Sequence, residues 1–206
     1  MKKALETAED SLARLHKDPA WVAQNARKEA AREARVAALR REEVPLVEEL
    51  RRAGCVVDST WALVSLKPPC SQALPILMAH LQKPYSKDLR EIIARALGMP
   101  EARTVWEKLI HLYREEQQAG VKDGLAASLA KIAEKRHLGD LMELARDPRQ
   151  GPSRLLLLSV LDRSRDPRAL QALQDLQDDP DLYKEIAFLL KRKERNKRRR
   201  EAKATG

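Results

Sequence analysis

Aromatic residues, glycine and long apolar runs are all scarce in this 206-residue chain, and each shortage excludes a class of structure. Seven glycines and eleven prolines are too few for the closely spaced turns of a β-rich fold. No apolar run approaches the roughly 18 residues of a membrane-spanning helix. The first ten residues turn acidic where a signal peptide would be apolar. These features predict a cytoplasmic protein with no membrane contact.

Cysteine and histidine are also few, and their spacing excludes the familiar metal sites. Cys55 and Cys70 do not form a metal-binding pair, and no histidine has a second His or Cys three to five residues away. A helical chain of this length needs no disulfide, so we expect two reduced cysteines in core or turn positions. Phosphate-binding loops, nucleophile elbows and paired-carboxylate motifs are absent as well. The sequence therefore predicts no metal, no cofactor and no catalytic residue, and it favours a non-enzymatic protein.

Helix-forming residues are what the chain has in abundance. Hydrophobic residues make up 43% of it and charged residues 34%, with Leu, Ala, Arg, Lys and Glu prominent. This mixture is favoured in helices that face water on one side. The composition predicts an all-α fold.

An apolar pattern within this helical material recurs every 32 residues. One place in the first helix of each copy is always leucine: Leu77, Leu109, Leu141 and Leu173. A second helix repeats in the same register over 89–97, 121–129 and 153–161, with a basic residue at its second place: Arg90, Lys122 and Arg154. A fourth copy over 182–190 comes three residues early, and a degenerate first copy begins near residue 44. Apolar residues at i, i+3, i+4 and i+7 in each copy predict amphipathic helices.

The second helices resemble those of HEAT-like repeats, which carry an apolar-Arg-x-x-apolar-x-x-Ala-Leu core. The segment 89–97, followed by Gly98, is the most similar. The resemblance implies a right-handed α-solenoid of helical hairpins over residues 44–190, in which each hairpin buries its apolar side against its neighbours. In such an array, the basic residue at the second place is expected to bond the turn of the neighbouring unit. The resemblance concerns packing and implies no particular function.

Two segments lie outside the repeat. Residues 1–43 are rich in Ala and in charges of both signs, which predicts a helical N-terminal cap on the solenoid, with a partner-binding or dimerising arm as the alternative. Residues 191–206 hold nine of the 40 basic residues but two of the 31 acidic ones, so the rest of the chain is nearly neutral. This tail is either the solvated end of the last helix or a contact for nucleic acid or an acidic protein.

A row of second helices forms one extended surface, so the sequence favours a module that binds a protein partner as an adaptor, inhibitor or immunity-like factor. The candidate contacts on this surface are Glu91, Arg95, Asp123, Lys131 and Arg163. The alternative is nucleic-acid binding through the tail, with candidate contacts Lys191, Arg192, Lys193, Arg195, Lys197, Arg198, Arg199 and Arg200. A HEAT-like DNA glycosylase is a further alternative. It is disfavoured by the nearly neutral body and by the placement of Trp61 and Trp106 on different helices of their units.

Overall fold

The computed structural model describes Thr7 and residues 17–204, except for the side chains of residues 197 and 200–204. All regular structure in this described part is helical, which confirms the all-α prediction. Within the same residues, no helix combines the length and apolar character that a membrane crossing requires. Most of the first 16 residues of the predicted arm lie outside the described part.

Eleven α-helices follow one another in the described residues, joined in three places by 3-10 segments. The α-helices are α1 Pro19–Glu42, α2 Val44–Arg52, α3 Thr60–Ser65, α4 Ala73–Leu81, α5 Lys87–Ala96, α6 Trp106–Glu115, α7 Ala119–Ile132, α8 Leu138–Arg146, α9 Leu158–Arg163, α10 Pro167–Asp175 and α11 Tyr183–Ala204. The 3-10 segments are Pro100–Val105, Lys135–His137 and Pro148–Leu156.

The chain divides into two compact units after Val44. The first contains α1, which begins where the sequence places an Asp-Pro pair. The side chain of Asp18 accepts a hydrogen bond from the amide of Ala20 at 2.9 Å, and Pro19 occupies the first turn, where its missing N–H costs no helical bond. The same pair starts α10, where Asp166 accepts from the amide of Arg168.

Helices of the second unit pack on elements close to them in the chain, and the most extensive contact joins α5 and α7. Helix α4 packs on α5, α6 on α7, α8 on α9 and α10 on α11, so the first and second helices of each copy form pairs. The second helices also pack in chain order, with α3 on α5, α5 on α7 and α7 on segment 148–156. The contacts of each copy are therefore largely local.

The repeated apolar positions form the core of this unit. The recurring leucine of the first helices is fully buried in all four copies: Leu77, Leu109, Leu141 and Leu173. The fifth place of the second helices is buried as well: Ile93, Leu125, Leu157 and Ile186. The 32-residue pattern thus identifies the buried side of each helix.

The third copy departs from the single second helix expected over 153–161. The structure has the 3-10 segment Pro148–Leu156 followed by the short helix α9, with a turn at Gly151, where φ is +63°. Glycine adopts this left-handed conformation readily, and Pro152 has no amide hydrogen with which to continue a helix across the turn. Gly151 and Pro152 therefore fix where this helical stretch begins, and the predicted residues 153–161 are helical, with 3-10 geometry up to Leu156 and α-helix from Leu158.

Cys55 and Cys70 form a disulfide, so the prediction of two reduced cysteines is wrong. They lie on either side of the six-residue helix α3. The chain turns back after α3, and the two Cα atoms come within 5.7 Å of each other, a separation that a disulfide can span.

Reduction of the Cys55–Cys70 bond is expected to lower the free energy of unfolding by up to about 3 kcal/mol, because the bond closes a loop of 15 residues in the unfolded chain. Urea unfolding with and without reductant measures the loss. The double variant Cys55→Ser/Cys70→Ser should unfold at the same urea concentration in both conditions. Two titratable thiols in protein purified without reductant would contradict the disulfide.

Helices α5 and α7 approach each other closely at Gly124. A Cβ atom added to Gly124 would lie 2.8 Å from the Cβ of Ala94 and 2.9 Å from the carbonyl oxygen of Glu91. Such distances are shorter than packed atoms tolerate, so the contact between these helices requires glycine here. Gly139, in the first turn of α8, has open space around the corresponding position.

Replacing Gly124 with Ala is expected to destabilise the protein by about 1–3 kcal/mol, because the added methyl group forces α5 and α7 apart. The matched Gly139→Ala variant should be as stable as the parent or more stable by about 0.5–1 kcal/mol, since alanine favours helix where nothing obstructs it. Thermal and urea unfolding of the three proteins test this. Equal stability of Gly124→Ala and the parent would show that the helices do not meet so closely.

Candidate binding surfaces

The basic residue at the second place of two second helices binds the end of the first helix in its own pair. Arg90 donates from Nε to the carbonyl oxygen of Leu81 at 3.2 Å, and Arg154 donates from Nη1 to that of Ala145, also at 3.2 Å. Carbonyls in the last turn of a helix lack intrahelical partners, and a cation there also interacts well with the helix dipole.

Both arginines also reach the next copy of the repeat. Arg90 Nη2 lies 2.6 Å from a carboxylate oxygen of Glu116, just beyond α6. Arg154 binds Asp179 at 2.7 Å and Asp181 at 3.0 Å, in the connection between α10 and α11. The expectation that these side chains bond the neighbouring turn is confirmed for Arg90 and Arg154.

Lys122 holds the equivalent place with a different contact. Its Nζ donates to the carbonyl oxygen of Glu116 at 3.1 Å, within its own pair, and lies 5.1 Å from the centre of the Tyr113 ring. Burial lowers the pKa of Lys122, and nearby acidic residues, first Glu116, oppose that shift. All three basic residues therefore contribute to the fold.

Two of the candidate contacts predicted on the second helices also hold the fold together. Lys131 donates to the carbonyl oxygen of Val64 at 3.2 Å, and Arg163, one repeat later, donates to the carbonyl oxygen of Ala130. Each acceptor lies in the last turn of an earlier second helix. The sequence identifies these positions as solvent-facing but does not show that their charged ends return to the backbone.

The other three predicted contacts, Glu91, Arg95 and Asp123, come together on adjacent faces of α5 and α7. Arg95 donates from Nε to Glu91 at 3.0 Å, and both side chains are about one-third exposed. Burial raises the pKa of Asp123, while the charge of Arg95 lowers it and that of Glu91 raises it further. The structure thus places these residues in one small charged cluster of two carboxylates and one guanidinium.

The predicted tail contacts fall into two groups along α11. Arg192 binds the carboxylate of Asp162, and Lys193 binds its backbone oxygen, so both are anchored. The side chains of Lys191, Arg195, Arg198 and Arg199 are exposed, and Arg198 pairs with Glu194 at 2.9 Å. The side chains of Lys197 and Arg200 lie outside the described part.

Trp106, which the glycosylase alternative would need in a DNA-binding groove, is used inside the protein. It is 5% exposed, its indole N–H donates to Asp140 at 2.8 Å, and its ring stacks on His137 at 3.9 Å between centroids. Trp61 is 55% exposed. The buried indole of Trp106 is not free to stack on a base.

A surface groove that the sequence analysis missed lies between two successive connections of the repeat. It has a volume of about 590 Å³ and is lined by residues from 133–138 and 160–167. Exposed Pro167 and half-buried Ala133 contribute apolar surface, whereas Leu138 and Val160 lie beneath it and are more than nine-tenths buried. Of the residues predicted as contacts, Arg163 lies in its lining. The sequence feature that could have predicted this groove is the 32-residue spacing of the two connections, because that spacing places them side by side.

The acidic groups of this groove are already paired, whereas basic groups remain exposed. Glu134 pairs with Arg103 at 3.2 Å and with Arg136 at 3.1 Å. Hydrogen bonds from Arg168 lower the pKa of Asp166 to about 2. Lys135 and Arg165 are exposed in the lining, so the groove offers positive charge beside an apolar surface.

Among the described residues, no three His, Cys, Asp or Glu side chains converge as ligands for a metal ion. Comparison of the chain with protein-family models, curated proteins and solved structures finds no match. The function is therefore inferred from the groove and from the exposed side chains of α11.

The ion pairs of Arg154 generate a dependence of stability on pH. Burial alone would raise the pKa of Asp179, but the hydrogen bonds and charge of Arg154, together with the backbone amides of Asp181 and Leu182, outweigh it and lower the pKa below its usual 3.8. A carboxylate with a lowered pKa stabilises the folded state above its unfolded pKa, and this stabilisation is lost as the pH falls through the folded pKa. The contribution of Asp179 is thus present at pH 5 and disappears in the range below about pH 4.

Replacing Asp179 with Asn is expected to lower the free energy of unfolding by about 3 kcal/mol at pH 7, because it leaves the charge of buried Arg154 incompletely paired. The difference in the free energy of unfolding between the variant and the parent should become smaller from pH 5 to pH 2, because protonation of Asp179 removes the same interaction from the parent. Asp178→Asn, at an exposed neighbouring position, is the control and should stay close to the parent. Urea unfolding at several pH values tests this, and a pH-independent difference would contradict it.

Proposed function

We propose that residues 44–190 form a HEAT-like α-solenoid and that this module recognises a protein partner. Three observations support the arrangement: second helices that pack in chain order, a leucine that is buried in every copy, and arginines that join one copy to the next. The right-handedness of the array follows from the resemblance to HEAT-like repeats and remains a prediction.

The groove between 133–138 and 160–167 is the proposed binding site, and its composition is the observation that carries the function. Its volume falls in the range of ligand sites, and it combines the apolar surface of Ala133 and Pro167 with exposed Lys135 and Arg165. Such a lining suits a partner segment with apolar side chains flanked by carboxylates. Electrostatic complementarity would then set its orientation and register.

The polar groups in this groove favour binding over catalysis. Ser164 accepts a hydrogen bond from the amide of Asp166 at 3.1 Å, and Asp166 in turn caps α10. No histidine lies in the lining to act as a base for the serine. The groups that could take part in chemistry are instead committed to helix capping and ion pairing.

The site of action is predicted from the sequence to be the cytoplasm. The Cys55–Cys70 disulfide opposes this prediction, because structural disulfides form and persist mainly in oxidising compartments. The redox state of the two cysteines in the native host would decide between these locations.

Site-specific photocrosslinking in the native host tests protein recognition at the groove. A photoreactive amino acid at position 165 is expected to give a discrete crosslinked species, whereas one at exposed position 108, on α6, should not. Adding Lys135→Glu to the position-165 probe should reduce the crosslinked species at least tenfold, because it reverses a charge in the lining. No species at position 165, or the same species from both positions, would contradict the proposal.

A further inference from the structure

Helix α11 continues well beyond its last contact with the preceding helices of its unit. Leu182, Ile186 and Leu189 are buried, and Arg192 and Lys193 bind Asp162 near the end of α9. Every described side chain after Lys193 is exposed. Residues 194–204 are nevertheless helical and extend roughly 16 Å at 1.5 Å per residue. We call this part of the helix the projecting segment.

Basic positions surround the projecting segment rather than forming one stripe. The sequence has basic residues at 195, 197, 198, 199, 200 and 203, against acidic residues at 194 and 201. Successive helical residues are about 100° apart, so the consecutive basic positions 197–200 span about 300° of the circumference. Lys191, Arg195 and Arg199, each four residues apart, extend one exposed row of cations back along α11.

The distribution of charge excludes several kinds of partner. The projecting segment has no apolar stripe with which to enter a membrane surface, since Ala202 and Ala204 are its apolar residues. It also lacks the apolar seam that a partner helix in a coiled coil requires. An acidic protein surface would meet one side of the helix and leave the other cations without partners.

A duplex DNA groove supplies negative charge on both sides. The major groove of B-DNA is about 12 Å wide, and a helix with its side chains is about 10–12 Å across, so the two dimensions match. Its walls carry phosphates, which are the usual partners of Lys and Arg in DNA-binding proteins. The described side chains of the projecting segment, at 194–196, 198 and 199, are exposed and therefore accessible to the phosphates.

We propose that the projecting segment inserts into the major groove of duplex DNA and binds the phosphates on both sides without regard to base sequence. Lys191 contacts the same backbone nearer the body of the unit. This site shares no residue with the groove between 133–138 and 160–167, so it is independent of the protein recognition proposed above.

Fluorescence anisotropy with two unrelated 24-base-pair duplexes, in 50–200 mM NaCl, measures this interaction. We expect equal affinities for the two duplexes, in the range of about 10⁻⁴–10⁻⁶ M near physiological salt. With about five phosphates contacted, the logarithm of the association constant should fall with the logarithm of salt with a slope of about −4 to −5.

The variant Lys191→Gln/Arg195→Gln/Arg199→Gln should bind duplex DNA at least tenfold more weakly. Its salt-dependence slope should be shallower by about 3, because each lost phosphate contact reduces the slope by roughly 1. The control Lys67→Gln/Lys87→Gln/Lys108→Gln removes the same charge from exposed positions elsewhere and should match the parent within twofold. All six positions are exposed, so circular dichroism and thermal unfolding should show both variants folded.

Four outcomes would overturn the proposal. The first is no binding to duplex DNA at 50 mM NaCl, and the second is an equal loss of affinity in the two triple variants. The third is tighter binding to single-stranded DNA or double-stranded RNA of the same length. The fourth is tighter binding to polyglutamate, which would identify an acidic protein as the partner. Since this assay does not involve the groove, its result and that of the crosslinking experiment are separable.

Discussion

A buried guanidinium sets the geometry of the later part of the fold. Taking Arg154 out of water costs several kcal/mol unless its charge and its N–H groups are satisfied, and its side chain is 1% exposed. The end of α8, the turn at Gly151 and the carboxylates of Asp179 and Asp181 all supply acceptors. Because these acceptors come from three separate parts of the chain, satisfying one side chain constrains the positions of all three. Arg90 links two copies in the same way, with less burial.

Contacts between successive copies of the repeat explain why the groove forms between 133–138 and 160–167. Each copy packs mainly on the next, so the connections of successive copies lie beside each other with a space between them. Lys131 and Arg163 stabilise the ends of earlier second helices while remaining exposed. A solvent-facing charge in a repeated array can therefore have a structural role, and the surface available to partners is smaller than the set of exposed side chains.

The sequence was sufficient to predict features that depend on periodicity, but not those that depend on a through-space approach. The spacing alone predicts the buried leucine at position 77 and its equivalents, because residues at helical spacing lie on the same side of a helix. It also predicts the equivalent positions of Arg90 and Arg154. The disulfide required knowing that the chain turns back after α3. The turn at Gly151 lies just before the helical pattern of 153–161, where the sequence shows only one glycine and one proline. Predicting the groove would have required the three-dimensional positions of both connections. The helical register predicts the side of α7 on which Lys131 lies, but not the carbonyl group that it binds.

The two proposed surfaces would hold their partners by different physical means. In the groove, Ala133 and Pro167 can exclude water from an apolar segment, and this contribution changes little with ionic strength. The projecting segment of α11 has no such surface, so its attraction comes from charges in contact with solvent, which salt screens within about 10 Å at 0.1 M. The net charge of +9 therefore describes α11 more than the rest of the chain. Anchoring of Arg192 and Lys193 at Asp162 fixes the base of that helix, so Arg195 and Arg199 beyond it lie along one helical axis and can act together on a single partner.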